Sequence, residues 1–301
     1  MITGLIQQAL RYVVPQLERT EYPAYKFYEQ FIPIDDRPMP GVETVTYQRI
    51  THYGVWTPLG SNANALEPSD FRLETVSYGA EYFQAKFTYT QVEIDRIEFA
   101  NQNQAYGLVL NLTQEKYNAV LEGYKQLVDD IFAVGRPASN IFGILTHPDV
   151  SRLVSPSPIT FDNDPDTNLA ILARGALSIV QATREVEYPD RLILPTSVFN
   201  VVLQQRLGSS SDTTVLEHFL RVNPWIRGVD TSPRLENAGL NSGRVAIYYR
   251  YDPNKLVGII PKPLTVLPPQ QVAHGFEVYC HAQISGVHVR RPGSVLIMEG
   301  V

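Results

Sequence analysis

Histidine, aspartate and cysteine are the side chains of this 301-residue sequence best suited to hold a metal or move a proton, so their spacing comes first. Six histidines stand at 52, 147, 218, 274, 281 and 288. The last three lie seven apart, and in an extended strand an odd spacing puts His281 on the face opposite His274. Metal ligands must converge with defined geometry, so this spacing predicts separate core or surface histidines and no metal site. Asp162-Asn-Asp-Pro-Asp166 imitates the opening of a calcium loop, but Thr167 stands where the turn needs glycine and Ala173 where a bidentate glutamate is needed. A turn-rich linker capping the next helix is expected there. Cys280 is the single cysteine, which excludes a disulfide framework and a cysteine-built zinc site and suits a reducing cytoplasm.

No nucleophile elbow, Walker A loop, dinucleotide fingerprint or HExxH pair occurs. Gly239-Leu-Asn-Ser-Gly243 carries glycines but lacks the following lysine and a strand–loop–helix frame. His147-Pro-Asp149 matches the tripeptide of co-chaperone J-domains without that family's basic flanking helix, so a turn with Asp149 bonded to nearby backbone is expected. No catalytic residue, cofactor or metal is therefore assigned; an enzyme whose site is assembled from scattered residues is kept as an alternative.

Charge and composition narrow the classes further. With 31 acidic and 25 basic residues the net charge is -6, without the basic excess of a tight nucleic-acid binder. Arginine supplies 19 of the 25 basic residues, which fits forked protein–protein ion pairs and equally a bias in genome composition. A 44% hydrophobic content excludes a disordered chain. No apolar run approaches the roughly 20 residues needed to cross a bilayer. Gln7, Gln8 and Arg11 interrupt any signal-peptide core.

These residues must be positioned by elements of unequal texture. Ile2–Leu17 predicts a short helix, with Leu5, Ile6, Ala9, Leu10 and Val13 at helical spacing and Pro15 near its end. Residues 21–40 are rich in Tyr, Phe and Ile, but prolines at 23, 33, 38 and 40 oppose regular structure. They predict an extended arm docked on something else. Residues 42–56 and 71–89 read as two β-strands around a turn-rich loop. About 15 residues each at ~3.3 Å would give a hairpin roughly 50 Å long, too isolated to be stable without a neighbouring surface. Thr90-Gln-Val-Glu93 is a capping box opening a helix. The clearest helix is 113–134, with Tyr117, Val120, Leu121, Tyr124, Leu127, Val128, Ile131 and Phe132 on one stripe and Gly135 at its stop. From about 168 the texture alternates: helix to 183, buried strand 191–194, helices from 196 and from Asp212 or Thr213, then strands at 226–231, 244–251 and 256–260. Long β returns after Lys262, with Phe276, Val278, Cys280, Ala282 and Ile284 on one face and a bulge at Ser285-Gly286.

This order resembles the major capsid proteins of tailed bacteriophages, the Hong Kong 97-type fold. Local segments that carry the resemblance are Gly54–Pro58 entering the loop tip, Tyr89-Thr-Gln-Val-Glu93, Phe142-Gly-Ile-Leu-Thr-His-Pro-Asp-Val150 after the long helix, and Arg191-Leu-Ile-Leu-Pro195. The resemblance implies an α+β chain. Its parts would be an N-arm (1–40), an E-loop hairpin (41–90), a P-domain (91–160, with spine helix 113–134, and return strands 262–301) and an α/β A-domain (161–261). It implies a non-enzymatic shell protein, whose hexamers and pentamers tile an icosahedral capsid around phage double-stranded DNA without reading its sequence. The partners implied are other copies of the chain, a portal, a separate scaffolding protein and a decoration protein. There is no membrane, and the location is the virion capsid, assembled in the host bacterial cytoplasm. Some relatives cross-link Lys to Asn, but with six lysines here no pair is assigned. The arm and hairpin are expected to wrap adjacent subunits. Because buried aromatics dominate interface energies, the candidate contacts are Tyr53, Trp56, Tyr78 and Tyr82, with Tyr25, Phe27 and Tyr28 in the arm. An encapsulin-type nanocompartment, which encloses an enzyme in the same fold, is the nearest alternative. An oligomeric enzyme with a site in the α/β domain is the more distant one.

Overall fold

A computed structural model of the chain describes residues 21–56, 69–102, 112–208, 212–239 and 242–301. The expected helix in Ile2–Leu17 and most of the loop between the hairpin strands lie outside these residues. In chain order the strands are β1 (Ile34–Asp35), β2 (Thr44–Tyr53), β3 (Asp70–Gly79), β4 (Glu81–Thr90), β5 (Gly135–Arg136), β6 (Ile141–Phe142), β7 (Ser151–Val154), β8 (Arg191–Leu194), β9 (Gly228–Thr231), β10 (Val245–Tyr249), β11 (Leu256–Ile259), β12 (Lys262–Val266), β13 (Gln270–Val272), β14 (Gly275–Ile284), β15 (Gly286–Val289) and β16 (Val295–Glu299). The chain divides into two compact units.

The first unit contains residues 82–127 and 263–282, with Glu21–Tyr25. β14 is flanked in its sheet by β12 and β13 and also pairs with β4. Alternation along β4 puts Phe83, Phe87 and Tyr89 on its better covered side, and Tyr89 stacks on Phe276 with ring centroids 5.4 Å apart. Helix Gln91–Gln102 starts where the sequence places it. The Glu93 amide donates to Thr90 Oγ1 (3.2 Å) and the Thr90 amide to Glu93 Oε2 (3.0 Å), so two otherwise orphaned donors are satisfied. Lys116, in the first turns of the spine helix Leu112–Ala133, donates to the Thr88 carbonyl (2.6 Å) and pairs with Glu93 (3.0 Å).

The second unit contains residues 26–81, 128–262 and 283–301. Its larger sheet runs β7-β16-β10-β8-β9, antiparallel where β10 meets its two neighbours and parallel at both outer pairings. Helices Pro165–Ala182, Thr196–Gln204 and Val215–Val222 supply the apolar faces that close its core around Leu172, Phe219, Tyr248 and Met298. Tyr248, fully buried, donates its hydroxyl to the Leu172 carbonyl, as a polar tip in such a core requires. A second sheet, β1-β11-β15, ends at Gly286, whose φ of +80° makes the expected shift in strand parity.

Four expectations are corrected. The 71–89 strand is divided at Ala80, where the Ala80 amide donates to the Glu43 carbonyl (2.8 Å). β3 therefore belongs to the hairpin and β4 to a different sheet, and two ten-residue strands make a hairpin nearer 33 Å than 50 Å. The arm beyond Lys26 docks on its own chain. Phe27, Phe31 and Ile32 are buried, Asp129 accepts the Phe27 and Tyr28 amides (2.8 and 3.2 Å), and β1 pairs with β11. Proline opposes long ladders but not a single helical turn followed by a two-residue bridge. The strand 256–260, expected in the α/β domain, pairs with β1 and β15 instead. β16, expected among the P-domain return strands, lies inside the α/β sheet.

Candidate subunit interface: the hairpin and its root

β2 and β3 pair over ten residues, from Thr44 opposite Gly79 to Tyr53 opposite Asp70. Because side chains alternate, this register fixes two faces. One carries Thr46, Gln48, Ile50 and His52 across from Ser77, Thr75, Leu73 and Phe71; the other carries Val45, Tyr47, Arg49, Thr51 and Tyr53 across from Tyr78, Val76, Glu74, Arg72 and Asp70. On the first face the half near the turn is apolar and open: Ile50, Leu73 and Phe71 are each about half exposed, and the His52 and Phe71 rings lie 6.5 Å apart. Three large apolar side chains side by side in water mark a surface shaped for a partner.

The opposite end is anchored. Tyr78 is 2% exposed, its ring 4.2 Å from His288, 5.4 Å from His147 and 5.8 Å from Tyr47. Tyr47 donates to the Val289 carbonyl (2.7 Å), which leaves the Tyr78 hydroxyl to donate to Tyr47 (3.2 Å). Ser285 donates to the Gly79 carbonyl (2.7 Å), so His288 Nε2 must be the donor in its 2.9 Å contact with Ser285. Asn140 donates to the Ser77 carbonyl, and Arg49 reaches both Glu74 and Asp149 at 3.5 Å. Gly79 is required by close approach, since a Cβ there would sit 2.2 Å from the Ser139 carbonyl oxygen.

Burial pushes His288 down to about 3 and His147 down to about 4, and burial likewise raises Tyr47 and Tyr78. At neutral pH the root is therefore an uncharged, packed aromatic cluster edged by the Arg49 ion pairs. His147-Pro-Asp149 makes the expected turn, but the bond that closes it runs from the Asp149 amide to His147 Nδ1 (3.1 Å), and the Asp149 carboxylate meets Arg49 rather than nearby backbone. Among the described residues no His, Cys, Asp and Glu side chains cluster as a metal site.

The sequence-nominated contacts separate. Trp56 is 96% exposed, and Tyr53 and Tyr82 are about half exposed, so their surfaces are open to a neighbour. Tyr82 stands on β4, outside the hairpin. Tyr78 and Phe27 are covered by their own chain, which corrects their assignment as anchors for another subunit. Tyr25 and Tyr28 are half-buried. Sequence reading missed Ile50, Phe71 and Leu73. Phe71 and Leu73 share strand parity, but only the register shows that Ile50 faces Leu73.

Similar solved structures place this architecture. The capsid of Myoviridae phage XM1 matches with a TM-score of 0.83 at 17% identity over 98% of both chains. Mycobacterium phage Ogopogo matches at 0.60 with 13% identity over 98% of both chains. A virus-like particle from Pyrococcus furiosus matches at 0.52 with 12% identity, over 89% of this chain and 90% of that one. The fold is that of a phage-type coat protein. No curated protein matches the chain. The family model "Major capsid protein" matches residues 61–301, and the chain belongs to that family. Its role is structural, as a subunit of a virion capsid built from copies of itself, and the nanocompartment alternative is not favoured.

Proposed function

We propose that this chain forms hexamers and pentamers that close an icosahedral shell around phage double-stranded DNA, and that the hairpin carries a principal contact between neighbouring copies. The observation behind this reading is a hairpin fixed at its root and apolar at its far end, with Ile50, Phe71 and Leu73 aligned on one face. Tyr53, on the opposite face of the hairpin, and Trp56 offer further exposed aromatic surface near the turn, and Tyr82 adds a contact from β4. Each such patch is modest. A closed shell repeats it so often that weak contacts sum to a stable particle. The net charge of -6 suits a lining that leaves packaged DNA mobile. Assembly takes place in the bacterial cytoplasm with a portal, a separate scaffolding protein and decoration proteins as partners.

The test is negative-stain microscopy of the expressed chain beside the triple variant Ile50→Ser/Phe71→Ser/Leu73→Ser. The parent should give closed particles. The variant should remain folded by circular dichroism but stay as small oligomers. Normal particles from the variant would remove the hairpin from the assembly contact.

A further inference from the structure

At the end of the five-stranded sheet where β8 and β9 begin and β10 ends lies a cavity of about 440 Å³. Tyr188, Arg227, Arg250 and Tyr251 line it. Among the described residues neither tyrosine hydroxyl has a hydrogen-bond partner and the Arg227 guanidinium meets no carboxylate. Arg250 reaches only Glu187, at 3.7 Å, and that single buried carboxylate is already held by Lys255 and by Arg291 (2.9 Å). Asp190 and Asp252 also line the cavity, but each is turned to its own backbone, accepting the Tyr251 amide (2.7 Å) and the Asn254 amide (2.9 Å). The groups left over are donors, two guanidinium and two phenol, a set suited to carboxylates. Helix Pro165–Ala182 ends beside this cavity and begins at the acidic turn 162–166. Asp162, Asp164 and Asp166 are exposed there, and among the described residues none of their carboxylates has a partner; even Asp164, at the N-cap position, makes no side-chain cap bond. The turn itself is held firmly. Fully buried Asn168 donates to the Thr160 carbonyl (2.8 Å) and to Gln205 Oε1 (2.7 Å), and Gln205 donates to the Asn163 carbonyl (2.7 Å).

We propose that the acidic turn of one copy enters this cavity on the next copy, a head-to-tail contact that rests on the reading above of a shell built from rings. Three observations select this occupant. Unpaired carboxylates meet unpaired donors, so the charges are complementary. The turn is fixed before contact by Asn168 and Gln205, which lowers the ordering cost of docking. The two surfaces stand at opposite ends of an 18-residue helix, about 27 Å long, so a chain does not bring its own turn to its own cavity. Two different patches on one subunit make a heterologous contact, which closes a ring when repeated through the right rotation. All of these residues belong to one unit.

The test uses the full chain in a Cys280→Ala background, with Asp164→Cys and Arg227→Cys in one chain and a short bis-maleimide as cross-linker. Assembled protein should give a gel ladder of linked chains extending beyond the dimer, and neither single-cysteine variant should give one. Particles without that ladder would overturn the contact and leave the shell reading standing. A parent chain that forms no oligomer would overturn the shell reading, and this contact with it. Linkage that stops at the dimer would overturn head-to-tail closure. A second pair of variants reads the charges. Asp162→Asn/Asp164→Asn/Asp166→Asn and Arg227→Gln/Arg250→Gln should each stay folded by circular dichroism and raise the concentration needed for assembly at least about tenfold. Combined in one chain, the two sets should add little to either alone, as groups that meet each other require. An unchanged threshold in either variant, or fully additive effects, would overturn the proposal.

Discussion

Replacing Tyr78 by alanine tests whether the hairpin is held by its root. The ring is 2% exposed and packed between His288, His147 and Tyr47. Deleting a fully buried aromatic costs about 3–5 kcal/mol in lost transfer and cavity terms. That corresponds to a rise of roughly two to three and a half orders of magnitude in local opening. Tyr78→Phe removes only the hydroxyl that meets Tyr47, a neutral hydrogen bond worth about 1 kcal/mol, or roughly fivefold. Native-state hydrogen exchange separates root from body. Amides of residues 45–48 and 76–79 should lose protection in that graded order, while those of β8 and β10 keep theirs. If Tyr78→Ala left the root amides as protected as the parent, the aromatic cluster would not be what fixes the hairpin. A uniform loss of protection everywhere would mean that the root is inseparable from the global core.

Three further outcomes follow from the same geometry. The folded pKa values of His147 and His288 lie below the ordinary histidine value of 6.5, so the unfolded chain binds protons that the folded root refuses. Their contribution is complete above about pH 6.5 and is lost as pH falls toward 4 and 3, at about 2 kcal/mol each by pH 5; urea midpoints that stay flat between pH 7 and 5 would contradict it. Asp129→Ala strips the acceptor from the Phe27 and Tyr28 amides and leaves Arg234 without that partner, a loss of about 3–5 kcal/mol. Tryptic cleavage after Lys26 should speed up by two orders of magnitude or more. Gly79→Ala forces a methyl against the Ser139 carbonyl and should lower the thermal midpoint by the equivalent of about 1–3 kcal/mol, whereas Gly123→Ala should not lower it.

Elements that follow from local pattern were legible in the sequence. The spine helix, expected at 113–134, spans Leu112–Ala133, and the strand expected at 191–194 spans Arg191–Leu194. Both are long or strongly apolar and bounded by turn chemistry. The capping box at Thr90 and Glu93 formed as expected, whereas the cap of the helix at Val215 proved to be Thr214 with Glu217, just beyond the residues expected. The candidate interface was only partly legible. Aromatic content pointed to Tyr53 and Trp56, but the same criterion also selected Tyr78 and Phe27, which pack inward. Aromatic side chains stabilise a core as readily as an interface, and their direction depends on strand parity and register. The root joins residues 47, 78, 147, 285 and 288, and no local periodicity records an encounter over such separations. The docking of the arm on Asp129 and the entry of β16 into the α/β sheet are long-range pairings of the same kind.

The position of β16 also sets an order of events during synthesis. It lies between β7 and β10, so the five-stranded sheet stays split until Glu299 has left the ribosome. Residues 250–294 separate β10 from β16, a delay of roughly two to nine seconds at bacterial elongation rates. A nascent or prematurely terminated chain thus lacks the strand that unites its sheet. Only translation through this strand joins β7 to the rest of the sheet.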